Sequence, residues 1–396
     1  MRILWVTPDV PFSKPYGGDY DIASRIRFMA RAGHEIHLVA FAKERQPESH
    51  VETLRGLCRS VHVFQRSLNY LYFLHPTRPY SVVTRNHRRL AATVAEIARV
   101  YGIDVACLES PQAGAIADFL GRIGVPYVLR LHNIESAYFR QLGTSHRNAI
   151  LSAIYLMEAR KMARFENRVI EAAAAILPVS TSEAEVLSCA HAAKRISYVP
   201  LSVPIEESTR PSAACEAADP IIAFSGSMYL PGNVEAITWF VEEVFPLVRC
   251  QVLEAQLLII GRDPARAVRK LARQANVSVT GFVPSAQRLL RRASVVIVPV
   301  WHGAGVKVKL LEGIGLGQLV VTTSHGILGT RLEPGVHVLV ADHPRDFADA
   351  CVAGLRHPDR FAEIRTRARA YFLSHHAETT VGNKFQQELL SITAAT

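Results

Sequence analysis

The six cysteines of this sequence (Cys58, Cys107, Cys189, Cys215, Cys250, Cys351) are widely scattered, and no two stand in a CxxC pair. Neither a disulfide framework nor a zinc site is indicated. No apolar run approaches the ~18 residues that a membrane span requires; the run from Ala172 to Val179 falls far short. The stretch from Met1 to Pro8 passes directly into a turn-rich segment and is too short for the core of a secretory signal. Zinc-finger, homeodomain and aromatic-basic RNA-binding patterns are missing, so no nucleic-acid partner is expected. A soluble, reducing, cytoplasmic setting is the expectation.

What is present suits a packed globular protein: 49% hydrophobic and 20% charged residues over 396 positions. That length exceeds one ordinary core and calls for two domains of roughly 150–200 residues. The net charge of +10 is spread over several helix-like runs rather than one tail. Such a balance attracts phosphorylated small molecules or anionic membrane, although solvated helix faces account for most of these residues.

Short apolar runs alternate with helical patterns throughout, the mark of parallel sheets with helical crossovers. Ile3–Val6 reads as a first strand. A turn carrying Gly17 and Gly18, a helix over about Asp21–Ala32 and a strand over Glu35–Phe41 follow. Strand-like segments recur at 61–64, 105–108, 127–131 and 175–179, and a long helix fills about 147–172. The Ser-, Ala-, Glu- and Pro-rich segment 205–220 reads as a linker. The second half then repeats the plan with a strand at Ile221–Phe224, a glycine turn at Gly226 and Gly232, and a helix near Val234–Val248. The fold class is therefore α/β, with two Rossmann-like domains facing across a cleft. The N-terminal one spans 1–204 and the C-terminal one 221–375; residues 376–396 form a helix that can cross back. GxGxxG follows neither domain's first strand, which disfavours a nicotinamide dehydrogenase.

The segment Pro299–Thr323 carries the most chemistry. A glycine-rich loop, Gly303-Ala304-Gly305, follows a strand and opens a helix through Val306 and Lys307, so it offers backbone N–H groups and a positive dipole end to an anion. Lys309 and Glu312 stand three apart on one helix face. The first suits a diphosphate and the second suits ribose hydroxyls; the alternative is an intrahelical ion pair. Between Ile221 and Val248 there is no Arg or Lys, so the phosphate charge falls to Lys309, with Lys307 or Arg262 and backbone donors near Asn233. His132 ends an apolar strand, where open α/β sheets bind ligands. Glu109 and Glu135 read more readily as surface or cap residues, and Asp19-Tyr20-Asp21 as helix capping rather than a metal-binding pair.

The stretch from Gly303 to Val321 resembles the signature of the retaining family-4 glycosyltransferases, G-x-G-x-(K/R)-x-K-x-L-E-(A/G)-x-(A/G)-x-G-x-P-V-V. Gly17-Gly18, Gly33-His34-Glu35, His132-Asn133, Gly226, Pro231-Gly232-Asn233, Ile259-Ile260-Gly261 and Gly281-Phe282-Val283 fall in the order expected of that family. The match to the segment from Ser225 to Asn233 is to a subgroup handling exopolysaccharide or lipopolysaccharide sugars. The sequence departs at Ala304, where many members have a first glutamate, and at Leu319, where the pattern has Pro. The resemblance implies a nucleotide-sugar donor (UDP- or GDP-linked), a glycan, lipid-linked or small-molecule acceptor, retention, and no metal or cofactor. It implies His132, Lys309 and Glu312 as the catalytic set. It implies donor contacts from Gly17, Gly18, Gly226, Asn233, Arg262, Gly281, Phe282, Val283, Gly303, Ala304, Gly305, Val306 and Lys307. A sugar-nucleotide epimerase and a non-catalytic nucleotide- or sugar-binding module share this architecture. The basic runs Arg85–Arg89 and Arg160–Arg168, with the aromatics Tyr70, Tyr72, Phe73 and Tyr80, suggest peripheral contact with the inner face of an anionic membrane.

Overall fold

A computed structural model describes residues 1–12, 17–44, 46–146, 148–205, 220–303 and 305–394. Ala304 and nearly all of the expected linker lie outside the described residues. By its internal packing the chain divides into two compact units, Met1–Ser202 together with Val381–Thr396, and Val203–Thr380.

The first unit is built on six parallel strands: β1 (Arg2–Thr7), β2 (Glu35–Ala42), β3 (Ser60–Gln65), β4 (Val105–Glu109), β5 (Tyr127–Leu131) and β6 (Ala175–Pro178). Their order is β3-β2-β1-β4-β5-β6. Side chains alternate across β1, so Ile3 and Trp5 join one core cluster while Leu4 and Val6 join the other. Both faces are buried, which is why these strands read as continuous apolar runs. The helix Glu378–Thr393 places Val381, Phe385, Leu389 and Ile392 at helical spacing in the core on the Trp5 face. Trp5 and Phe385 meet with ring centroids 5.4 Å apart. Gly382 lets this helix approach closely, since a Cβ there would overlap the Phe28 ring.

The second unit repeats the plan with β7 (Ile221–Ser225), β8 (Gln256–Ile260), β9 (Val277–Val279), β10 (Val295–Val298), β11 (Leu319–Thr322) and β12 (Leu339–Val340). The order β12-β11-β10-β7-β8-β9 is the same winding. In each sheet the winding reverses beside the first strand, between β1 and β4 and between β7 and β10. Such a reversal opens a crevice at the carboxyl ends of the strands.

Two local expectations are corrected. The first helix runs Gly17–Arg31, so Gly17 and Gly18 form its opening turn instead of a turn ahead of Asp21. The helix expected over 234–248 is three pieces: Pro231–Trp239, a π-helical turn Phe240–Val244 and Phe245–Gln251. Pro246 has no N–H to continue the ladder, and the wider turn absorbs the missing bond.

Candidate active site

In the second unit the chemistry gathers where the winding reverses between β7 and β10. Gly226 follows β7 and Gly261 follows β8; a Cβ on Gly261 would overlap the Gly226 carbonyl oxygen. A Cβ on Gly226 would in turn come within 2.8 Å of Asn233 Nδ2 and 3.1 Å of Lys309 Nζ. The glycines thus leave room for one polar contact. Lys309 Nζ donates to Asn233 Oδ1 at 2.6 Å, and Asn233 Nδ2 donates to the Ser227 carbonyl at 3.0 Å. The Lys309 ammonium also lies 4.3 Å from the centroid of the Phe224 ring. Lys309 is half-buried. Burial, reinforced by Lys307 nearby, lowers its ammonium from 10.5 to about 7. The fixed amide accepts a hydrogen bond from it, and among the described residues no carboxylate bonds it directly, an arrangement suited to a multiply charged anion.

Lys307 is tied to its own loop. Its Nζ donates to the carbonyls of Gly303 and Gly305, each at 2.8 Å, and so braces the loop. His325 Nε2 donates to the same Gly303 carbonyl at 3.0 Å. Gly303 and Gly305 have φ of 102° and 74°, a region glycine enters without strain. The helix Val308–Gly315 follows, with Glu312 on it accepting from Gln287 Nε2 at 3.2 Å. Arg262 lies beside Asp263 at 3.8 Å. Gly281 has φ of 68°, and Phe282 beyond it is 71% exposed. Lys309, Asn233 and Gly226 are therefore brought together, whereas Gly281, Phe282 and Val283 stand on a separate loop after β9.

In the first unit His132 follows β5, and its Nε2 lies 3.1 Å from Glu109 Oε2. An ionised carboxylate only accepts, so Nε2 carries the proton. Nδ1 is buried without a hydrogen-bond partner among the described residues. Glu109 is fully buried, which corrects its reading as a surface or cap residue. It takes Trp5 Nε1 at 2.8 Å and the Arg25 guanidinium at 2.7 Å. Burial alone would raise its carboxyl, but Arg25 and the His132 bond outweigh this and hold it below the carboxylate range.

Asp21 is likewise not a helix cap. It is buried inside the helix, pairs with Arg25 at 2.9 Å and Arg130 at 3.1 Å, and accepts the Ser202 amide at 2.8 Å. Two carboxylates and two guanidiniums balance, and the carboxyl ends of β4 and β5 are locked together around His132. Ser110, next to Glu109, holds a φ of 74°, a costly conformation for serine at the point of winding reversal. Glu135 is buried too; Ser110 and Gln112 approach its carboxylate at 3.5 and 3.1 Å, and burial raises its carboxyl.

The sequence reading missed Asp21, Arg25 and Arg130 as a network. The signal was there: Arg130 interrupts the apolar strand Tyr127–Leu131, and Asp21 and Arg25 stand one helical turn apart. A charge in a doubly buried strand has to be paired.

Comparison with known proteins agrees with the fold. Residues 21–202 match the model of the glycosyl transferase 4-like domain, and residues 219–357 that of the glycosyl transferases group 1. The chain is a glycosyltransferase of GT-B architecture, built from these two family domains in that order. One curated relative, described as an uncharacterized 44.6 kDa protein in the cps region of Klebsiella pneumoniae, is 23% identical over 98% of this chain and 99% of its own length. Among solved structures, the sucrose-phosphate synthase of Thermosynechococcus elongatus superposes with a TM-score of 0.68 at 15% identity, covering 100% of both chains. Anabaena HepE, solved with UDP-glucose, gives 0.65 at 16% identity over 99% of this chain and 100% of that one. A mutant of S. aureus TarM, solved with fondaparinux, α-GlcNAc-glycerol and UDP, gives 0.68 at 10% identity over 98% and 100%.

Proposed function

We propose that this chain moves a sugar from a nucleoside diphosphate sugar, UDP- or GDP-linked, to a hydroxyl of a glycan, lipid-linked or small-molecule acceptor. Transfer proceeds with retention and without a divalent metal. The observation that carries the donor half is the Lys309–Asn233 contact packed over Gly226, at the mouth of a family domain whose relatives include structures solved with UDP and UDP-glucose. Lys309 and the N-terminus of the helix Val308–Gly315 meet the diphosphate, while Glu312 takes the ribose hydroxyls. Gly303–Gly305, braced by Lys307, serve where many family members use a first glutamate.

In the reaction the bond from the anomeric carbon to the phosphate oxygen breaks and a bond to the acceptor oxygen forms on the same face. The acceptor proton passes to the departing phosphate. Positive charge developing on the sugar is met by the departing diphosphate; His132, which Glu109 orients, is the catalytic residue of the first unit. Asp21, half of the Asp-x-Asp of this sequence, is committed to Arg25 and Arg130, which supports a metal-independent reading. The cps-region relative supports a role in making polysaccharide, and the protein works in the cytoplasm at the inner face of the membrane.

A thermal-shift screen of nucleoside diphosphates against the matching nucleosides tests the donor half, since a ligand of the folded state raises apparent stability. A shift with UDP or GDP that Glu312→Ala abolishes supports it. Equal shifts in wild type and variant oppose it.

A further inference from the structure

Behind the carboxyl edge of the first sheet lie two arginines that the donor chemistry does not use. Arg66 follows β3, and Arg85 follows the short helix Tyr80–Val83. Their side chains are only 8% and 3% exposed. Arg85 donates from Nε to the Pro8 carbonyl at 2.7 Å and from Nη1 to the Ser81 carbonyl at 2.8 Å. Arg66 reaches Thr84 Oγ1 from Nη2 at 3.3 Å, and its Nε is buried with no partner among the described residues. The two guanidiniums share one carboxylate, Asp9, at 3.6 Å from each, too long for a hydrogen bond. Asp9 itself is 53% exposed on its side chain. Burial lowers both guanidiniums, Arg85 to about 10 with Arg66 contributing. The two desolvated cations face each other over Asp9, and the other carboxylate acting on Arg85, Glu135, is itself buried.

The chain between these arginines is apolar and projects into solvent. Leu68, Tyr70, Leu71 and Leu74 are 52%, 83%, 67% and 77% exposed. Their turn is nevertheless built firmly. Asn69 caps it through the Leu71 amide at 2.9 Å, Phe73 stacks on Tyr80 at 4.1 Å, and Lys161 Nζ holds the Phe73 carbonyl at 2.6 Å. One segment therefore has a buried cationic base at both ends and an apolar surface between them.

We propose that Arg66 and Arg85 bind the phosphate of an amphiphilic acceptor, a phosphate ester of a long hydrocarbon, whose chain lies along residues 68–74. This rests on the proposed transfer to a lipid-linked acceptor; it narrows that acceptor to a lipid phosphate and assigns its binding to the first unit. The same guanidiniums could take free phosphate, so the test separates the two sources. Geranyl phosphate below its micelle concentration, geraniol and inorganic phosphate are titrated into the full chain by calorimetry. The protein carries Lys309→Met, so that phosphate binding in the second unit is suppressed and failure there is not mistaken for failure here.

Geranyl phosphate is expected to bind most tightly and to lose about tenfold or more on Arg66→Gln, the cost of one charge-assisted bond. The exposed double substitution Tyr70→Ser and Leu71→Ser, which leaves the core untouched, is expected to weaken geranyl phosphate but not inorganic phosphate. Unchanged geranyl phosphate affinity in a folded Arg66→Gln protein overturns the proposal. Geraniol binding as tightly as its phosphate overturns it through the anionic half, and inorganic phosphate binding as tightly as geranyl phosphate overturns it through the apolar half.

Discussion

Replacing Lys309 by Met removes the ammonium while keeping most of the side-chain volume over Phe224. The bond it would make to a diphosphate is charge-assisted and contributes about 1.5–3 kcal/mol, or roughly 10- to 150-fold in affinity. A nucleoside lacks the phosphates and should lose little. The wild-type protein should also show a proton linkage that the variant lacks. Burial places the Lys309 ammonium near 7, against 10.5 for the exposed group, and an arriving diphosphate favours the charged form. Above about pH 7 the free site must therefore take up a proton to bind, and affinity should fall by up to about tenfold per pH unit. The same depression makes this group's contribution to folding stability rise with pH between about 7 and 10.5, because the unfolded chain holds the extra proton there. Calorimetry with UDP and uridine from pH 6.5 to 9 reads both effects. The terminal phosphate ionises near pH 6 and is common to both proteins, so a difference in slope belongs to the lysine. Equal losses for UDP and uridine, or the same pH slope in wild type and variant, would refute this assignment.

Glu312→Ala should cost about 1–3 kcal/mol in kcat/KM by leaving ribose hydroxyls unpaired, measured as initial rates on a variant with an unchanged melting curve. Glu109→Gln leaves the two guanidiniums Arg25 and Arg130 with Asp21 as the one remaining carboxylate of the network, and should destabilise the first unit by about 3–5 kcal/mol, which urea denaturation would register; an unaltered midpoint would show the network to be dispensable. Gly382→Ala forces a methyl into the Phe28 ring, and the overpacking of about 1–3 kcal/mol should exceed the gain of about 1 kcal/mol in helix propensity, lowering the melting temperature by a few degrees. Co-sedimentation with anionic liposomes should succeed at low salt and fade as salt is added, since Arg88, Arg89, Arg160 and Arg164 are exposed; protein left in the supernatant at low salt contradicts membrane contact.

Much of this molecule was legible because its parallel strands are buried on both faces and its turns are marked by glycine. Gly226, Gly303 and Gly305 announce backbone conformations or approaches that other residues resist, and the structure shows those conformations at all three. Long-range polar pairing was less legible. The reading of Arg85 as part of a solvated basic run failed because nothing local reveals that Pro8, Asp9 and Arg66 surround it; likewise Lys161 is buried against Glu158. Glu109 and Asp21 were misjudged for the same reason, since each is neutralised by partners as far as 109 positions away in the chain. Lys307 illustrates a subtler limit. Its charge was visible, but whether it faces a ligand or its own loop depends on the φ angles of two neighbouring glycines. The π-helical turn at Phe240–Val244 was signalled only by Pro246, one residue that admits several local solutions.

Proton NMR of a reaction mixture containing the protein, an α-linked UDP- or GDP-sugar and a glycosylated lipid phosphate, whose sugar supplies the acceptor hydroxyl, tests the central claim most directly. The account expects a new α-anomeric signal to grow in step with free nucleoside diphosphate, only when acceptor is present, and to vanish with the Lys309→Met, Glu312→Ala double variant. A β-anomeric product would contradict retention. Conversion of the donor without nucleoside diphosphate release would indicate epimerisation, and an unchanged spectrum across the full panel of donors and acceptors would contradict catalysis itself.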